Sequence, residues 1–152
     1  MRLSEGGLDH PAVHSLLELH FADMLANSPK DSCHFLDLSG LAAQDVSFWT
    51  LWDGEALAGC GALKQLDPAH GEIKSMRTHP AMLRRGVAAA MLTHIIATAQ
   101  ARGYRRLSLE TGSGPGFAPA HHLYHSFGFA ECPAFGDYRD GDPFSRFLTR
   151  TI

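Results

Sequence analysis

The stretch Gly71-Glu72-Ile73-Lys74-Ser75-Met76-Arg77-Thr78-His79-Pro80-Ala81-Met82-Leu83-Arg84-Arg85-Gly86-Val87-Ala88-Ala89-Ala90-Met91-Leu92 decides the fold. Its first half predicts a strand over 72–78 that stops at His79-Pro80. Proline has no N–H for a ladder and pushes the preceding residue out of the α region. Its second half predicts a helix from near Arg84, because Ala88, Met91, Leu92, Ile95, Ile96 and Ala99 recur at helical spacing before Gly103 ends the pattern. The first turn of a helix carries N–H groups without intrahelical partners and the positive end of the dipole. Gly86 and Ala88 add almost no bulk there, so an anion can touch the backbone itself. Arg84 and Arg85 put positive charge at the rim. A pyrophosphate fits this junction.

Two common phosphate-binding patterns are excluded. Nothing in the chain reads G-x-x-x-x-G-K. The pattern G-x-G-x-x-G fails because Gly86 is the only glycine between Gly71 and Gly103.

Toward the N-terminus, 46–52 is strand-like, Asp53-Gly54 signals a hairpin, and 55–66 forms its partner, thinned by Gly59 and Gly61. Residues 67–71 turn this pair into the strand bearing Glu72, giving an antiparallel meander. Ahead of it a helix opens after Gly7, capped by Asp9 with Pro11 in its first turn. Val13, Leu16, Leu17, His20 and Met24 mark its apolar face, and Asn27-Ser28-Pro29 ends it. The segment 32–38 reads as a short element placing Phe35, Leu36 and Leu38 on the core before a turn at Ser39-Gly40. Cys33 and His34, adjacent on an extended segment, point to opposite faces and make no nucleophilic pair.

Toward the C-terminus, 104–111 predicts a strand parallel to the Glu72 strand, joined by a right-handed crossover. A glycine-rich loop at 112–116, a helix over 119–127 stopped by Gly128, a strand over 129–135, a polar loop at 136–143 and a closing strand over 145–152 follow.

Length and composition set outer limits. At 152 residues the chain reads as one domain, 1–152, with room for a sizeable core. A net charge of −3 argues against nucleic acid as a partner. The local cluster Arg102, Arg105, Arg106 is either a solvated helix end or a contact for nucleotide phosphates. Cys33, Cys60 and Cys132 lie far apart without C-x-x-C spacing, which points to a reducing compartment. No stretch is long and apolar enough for a membrane span and the N-terminus has no apolar leader, so a cytoplasmic location and no membrane partner are expected. His10 and His14, and likewise His121 and His125, stand one helical turn apart without a third ligand in view, so no metal is expected.

Leu83-Arg84-Arg85-Gly86-Val87-Ala88 resembles the Q/R-x-x-G-x-G/A signature of the Gcn5-related N-acetyltransferase (GNAT) family, matching at Gly86 and Ala88 and departing at Leu83. Ala120-His121-His122-Leu123-Tyr124-His125-Ser126-Phe127-Gly128-Phe129 resembles that family's A-x-x-L-Y-x-x-x-G-F. This second motif is the more telling, because it follows the glycine turn at the proper distance with a strand between. Phe117 departs from the Asn that many members carry seven residues before the Tyr. In detail, G-E-I-K-S-M-R-T-H-P and R-L-S-L-E-T-G-S are similar to the bacterial YsnE-type subgroup.

The resemblance implies an α/β GNAT fold: a mixed, mostly antiparallel sheet, with a splayed parallel strand pair and helices on both faces. It implies an acyl-CoA-dependent N-acyltransferase that moves the acetyl group of acetyl-CoA to a primary amine of a small molecule, or less readily of a protein. Transfer would be direct, in a ternary complex. The alternatives are a catalytically silent acyl-CoA-binding sensor and an acyltransferase for a longer acyl group. Met76, Arg77 and Thr78 would face the pantetheine, with an amide near Met76 or Arg77 polarising the thioester. Arg84, Arg85, Gly86, Val87 and Ala88 would hold the pyrophosphate, with Phe117 and Tyr124 further along the coenzyme. A homodimer is compatible with the family.

The chemistry needs particular groups. A lysine-like ammonium, with a pKa of about 10.4, must lose a proton to a positioned base. The oxyanion needs an N–H donor, and the departing thiolate, whose thiol has a pKa of about 8.5, is helped by an acid. Tyr124 is the candidate acid, its alternative being a core tyrosine. Glu72 is the candidate base, its alternative being a solvent-facing carboxylate. Glu110, on the neighbouring strand, competes with it, as does a chain of waters. His79 is a candidate for the acceptor entrance, and Phe135, Tyr138, Phe144 and Phe147 for the acceptor wall or for plain core.

Overall fold

The computed structural model describes residues 1–33 and 36–152. In chain order the elements are β1 (Arg2–Glu5), α1 (Pro11–Asn27), α2 (Leu38–Leu41), β2 (Val46–Asp53), β3 (Ala56–Asp67), β4 (His70–Thr78), α3 (Val87–Ala101), β5 (Arg106–Gly112), α4 (Ala118–Ser126), β6 (Ala130–Glu131) and β7 (Ser145–Thr151). The strands form one sheet in the order β1-β2-β3-β4-β5-β7-β6. Every neighbouring pair is antiparallel except β4 and β5, which run parallel.

Alternation along β2 sorts the core onto two faces. Trp49 and Leu51 join a cluster with Val87, Met91, Leu92, Ile95 and Ala99 of α3 and Tyr124 of α4. Phe48 and Trp52 join Val13, Leu16 and Leu17 of α1 on the other face. Gly61 is what lets α3 lie so close, since a Cβ there would stand 2.7 Å from Met91 Cγ and 2.9 Å from Met76 Sδ. The fold class is therefore the expected one: a mixed, mostly antiparallel sheet with one parallel pair and helices on both faces.

Several local expectations change. Helix α3 begins at Val87, not near Arg84, because Arg84 at φ +62° and Gly86 at φ +77° are both left-handed and hold 83–86 out of the helix. The cap of α1 is His10, whose Nδ1 accepts from Ala12 N at 3.0 Å, rather than Asp9. Residues 2–5 pair with β2 as an edge strand whose short polar run gave no signal. The strand expected over 129–135 shrinks to two residues, Ala130–Glu131, because Pro133 has no N–H to continue the ladder. Ser39 and Gly40 lie within α2, capped by Asp37, whose Oδ1 accepts from Gly40 N at 2.8 Å. Leu36 packs beside the second cluster, whereas Leu38 is 39% exposed and lies outside the core. His34 and Phe35, and the expectations placed on them, lie outside the described residues.

Candidate active site

The parallel pair is the centre of the site because it comes apart. β4 pairs with β5 only through His70↔Arg106, Gly71↔Leu107 and Glu72↔Ser108. Beyond that β5 stays with β7 as far as Gly112↔Ser145, while β4 bends away. The bend has a cause in the β3–β4 register, where Ala62 faces Lys74 but Cys60 faces Arg77. One extra residue on β4 makes a bulge, and a bulge bends and twists its strand. Ser75, within it, has a left-handed backbone at φ +54°.

The gap is a cavity of about 110 Å³ lined by Ser75 and Met76 of β4, Glu110 and Thr111 of β5, Phe117 and Tyr124 around α4, and His20 and Met24 of α1. Tyr124 is 7% exposed and packs edge-to-face on Phe129, with ring centroids 5.9 Å apart. Among the described residues its hydroxyl has no hydrogen-bond partner. Burial pushes its pKa well above the usual phenol range, so it keeps its proton. Phe117 lays its ring against the backbone of Gly112 at the end of β5.

The two candidate carboxylates stand in different surroundings. Glu72 is 3% exposed, so it is no solvent-facing carboxylate. Its Oε2 accepts from the Tyr138 hydroxyl at 2.5 Å and from Lys74 Nζ at 3.0 Å, and Lys74 also donates to the Tyr138 hydroxyl at 2.9 Å. Glu110 receives one hydrogen bond, from Ser145 Oγ at 3.2 Å. Burial raises its pKa to about 7, opposed by that hydroxyl and by Lys74. A carboxyl poised there is neither permanently charged nor permanently protonated at neutral pH. His20 faces the same cavity; burial, then the charge of Arg77, lowers its pKa to about 4, so its imidazole is neutral.

A larger cleft, about 800 Å³, adjoins the cavity and shares Glu72 and Lys74 with it. Tyr138 and Phe147 line it, their ring centroids 5.5 Å apart. Phe135 packs behind Tyr138 at 5.2 Å. Phe144 is 43% exposed and stands apart from this lining. His79 is a local cap: its Nδ1 accepts from Ala81 N at 3.0 Å and starts a turn at Pro80–Met82.

The glycine turn leaves the N-terminus of α3 without a side-chain cap. The first intrahelical bond runs from Ala90 N to Gly86 O at 2.9 Å, which leaves the amides of Val87 and Ala88 unused by the helix. The two arginines differ. Arg84 is exposed at the rim, whereas Arg85 Nη2 donates to Asp53 Oδ2 at 3.0 Å and ties the turn to the β2–β3 hairpin. On β4, Met76 packs beside the α3 cluster, Arg77 is ion-paired with Asp23 of α1, and Thr78 pairs with Gly59. His121 is held by the fold, donating from Nε2 to Gly112 O at 2.7 Å and accepting at Nδ1 from Arg146 at 2.7 Å. Among the described residues no group of three or more His, Cys, Asp or Glu side chains is arranged to hold a metal ion. No helix among them is long and apolar enough to cross a membrane.

Sequence reasoning missed His20, Lys74 and the bond from Tyr138 to Glu72. His20 carried only the spacing of an apolar helix face, and Tyr138 lies 66 residues from its partner in an irregular loop.

Known proteins resemble this chain throughout its length. The profile of the acetyltransferase (GNAT) family matches residues 13–129. The chain is 54% identical over 145 residues to YedL of Escherichia coli (strain K12), an uncharacterized N-acetyltransferase, covering 95% of this chain and 91% of that protein. It is 53% identical over 140 residues to YsnE of Bacillus subtilis (strain 168), likewise an uncharacterized N-acetyltransferase, covering 92% of each. A Bacillus subtilis acetyltransferase solved in complex with CoA superposes with a TM-score of 0.72 over 99% of this chain and 98% of that one, at 17% identity, so the fold is shared.

Proposed function

The chain belongs to the acetyltransferase (GNAT) family and is an acyl-CoA-dependent acyltransferase, and from that premise we propose that it passes the acetyl group of acetyl-CoA directly to a primary amine of a small molecule. The observation that carries the reading is the parted end of β4 and β5. There a near-neutral carboxyl, Glu110, and a phenol that keeps its proton, Tyr124, share one cavity.

The pyrophosphate of acetyl-CoA rests on the amides of Val87 and Ala88 beyond Gly86, with Arg84 at the rim. The pantetheine follows β4 past Thr78 and Arg77, and the amide of Met76 meets the thioester oxygen. The amine enters from the larger cleft at the boundary formed by Glu72 and Lys74. Glu110 removes its proton, and Glu72 holds Lys74 and Tyr138 in the wall beside it. Magnitudes favour this division of labour. Against an ammonium of about 10.4, an ordinary Glu near 4.3 faces about six units, or roughly 8 kcal/mol; a base near 7 faces about 5 kcal/mol. The neutral amine then attacks the carbonyl carbon, the oxyanion forms and collapses, and the C–S bond breaks. Tyr124 protonates the departing thiolate, and its own proton returns from solvent or through Glu110.

Calorimetric titration with acetyl-CoA, beside a thiol-release assay over a panel of amines, tests the reading. Tight binding with turnover on at least one amine is expected. Binding without turnover on any amine would replace transfer by sensing, and preference for a longer acyl-CoA would change the donor.

A further inference from the structure

The extra residue that parts β4 from β5 is a serine, and its hydroxyl is unused. Ser75 holds φ +54°, a left-handed backbone that most side chains adopt only at a cost. Its carbonyl oxygen accepts from Cys60 Sγ at 3.3 Å. Its Oγ is buried and, among the described residues, has no hydrogen-bond partner. The other such atom, Arg77 Nε, belongs to a guanidinium already paired with Asp23. A buried hydroxyl without a partner and a strained backbone are two separate costs, and Ser75 bears both on the wall of the reaction cavity. Glycine would remove both, so the side chain itself is the feature that needs a reason.

Resting on the transfer reading above, we propose that the Ser75 hydroxyl donates to the carbonyl oxygen of the bound thioester, as a second oxyanion donor beside the Met76 amide. The other polar groups of the cavity have different tasks. Ionised Glu110 only accepts, and Tyr124 gives its proton to sulfur. As the amine adds, the N–C bond forms and the carbonyl π pair moves onto oxygen. The Ser75 hydrogen bond tightens on that charge without transferring its proton. Collapse returns the pair to carbon, expels the thiolate and relaxes the bond. Ser75 is then a catalytic residue, silent toward CoA itself, which has no carbonyl at that place.

Ser75→Gly and Ser75→Ala separate the hydroxyl from the backbone. Gly relieves the left-handed strain and is expected to hold or raise Tm, whereas Ala keeps the strain. Both are expected to lower kcat by about 10- to 100-fold and to leave the Kd of CoA within about twofold. Infrared difference spectra with acetyl-CoA carrying a 13C carbonyl give a direct signature. The bound carbonyl band should lie at lower frequency in the wild type than in either variant. A Ser75→Gly protein that binds CoA and keeps both the wild-type kcat and the wild-type band overturns the assignment. Wild-type protein that binds no CoA overturns the transfer reading instead, and this one with it.

Discussion

β4 and β5 are one parallel pair with two characters. In the closed half, from His70 to Glu72, polar side chains satisfy one another. Glu72 is bound by Tyr138 and Lys74, and Ser108 by His70 at 2.6 Å and Thr149 at 2.9 Å. In the open half, Glu110 has a single hydroxyl donor at 3.2 Å and the Ser75 hydroxyl has no partner among the described residues. The difference lies in what burial does once the ladder stops. Satisfied groups hold a sheet together, while desolvated, underbonded ones have their protons and hydrogen bonds to give to a ligand.

The sharpest way to break that contrast is to neutralise the open carboxyl. Glu110→Gln is expected to lower kcat by about 1,000-fold and to erase the rise of kcat/KM with pH that the wild type shows through about 7. Stability should move the other way. The folded protein keeps this proton up to about 7, whereas an ordinary carboxyl releases it near 4.5. Its contribution is thus full below about 4.5 and lost as pH climbs to 7. Gln removes that loss, so Tm at pH 8 should exceed the wild-type value. Unchanged kcat would end the role of Glu110.

The same change in the closed half should act on stability instead. Lys74 and Glu72 have side chains only 9% and 5% exposed, and taking the charge from one leaves the other buried and uncompensated. Glu72→Gln is expected to cost about 3 kcal/mol, roughly 6–12 °C in Tm, with kcat near normal at low temperature. A variant that stays stable yet loses the pH limb would exchange the two carboxylates' roles. Tyr124→Phe comes next, lowering kcat by about 100-fold with little change in KM, as steady-state assays at saturating amine would show. At the glycine turn, Gly86→Val meets no neighbour within 4 Å of its Cβ, so its whole effect comes through the φ of +77°. About 1–2 kcal/mol of strain should weaken CoA about tenfold in calorimetry.

The fold was legible in the sequence because its signals are local. The meander shows in Asp53-Gly54 and the α3 packing in Ala88 to Ala99, and the parallel crossover follows from connectivity. The glycine turn was legible too, apart from Arg84, whose left-handed backbone moved the helix start to Val87. The site was legible by residue type and not by state. Nothing in Glu72-Ile73-Lys74 tells that Tyr138 arrives from a distant loop to bind Glu72, nor that α1 and α4 close over Glu110 and raise its pKa. Solvation and long-range partners come from packing, and one strand's sequence does not hold them.

Arg85 gives the smallest expected effect and the finest test of the same contrast. The sequence placed it with the phosphates, but its guanidinium is spent on Asp53, and both side chains are nearly half exposed, 49% and 44%. An exposed pair of this kind contributes about 0.2–1 kcal/mol, and the charge it offers a phosphate is partly cancelled by the carboxylate beside it. Arg85→Ala is therefore expected to raise the KM for acetyl-CoA by no more than about threefold and to lower Tm by about 1–3 °C. Arg84→Ala, removing the exposed charge at the rim, should raise KM more, and the excess should shrink as salt is added. If Arg85→Ala proves the more damaging of the two at low salt, Asp53 releases the guanidinium when the coenzyme binds, and the turn is then a contact that opens for its ligand rather than a preformed cradle.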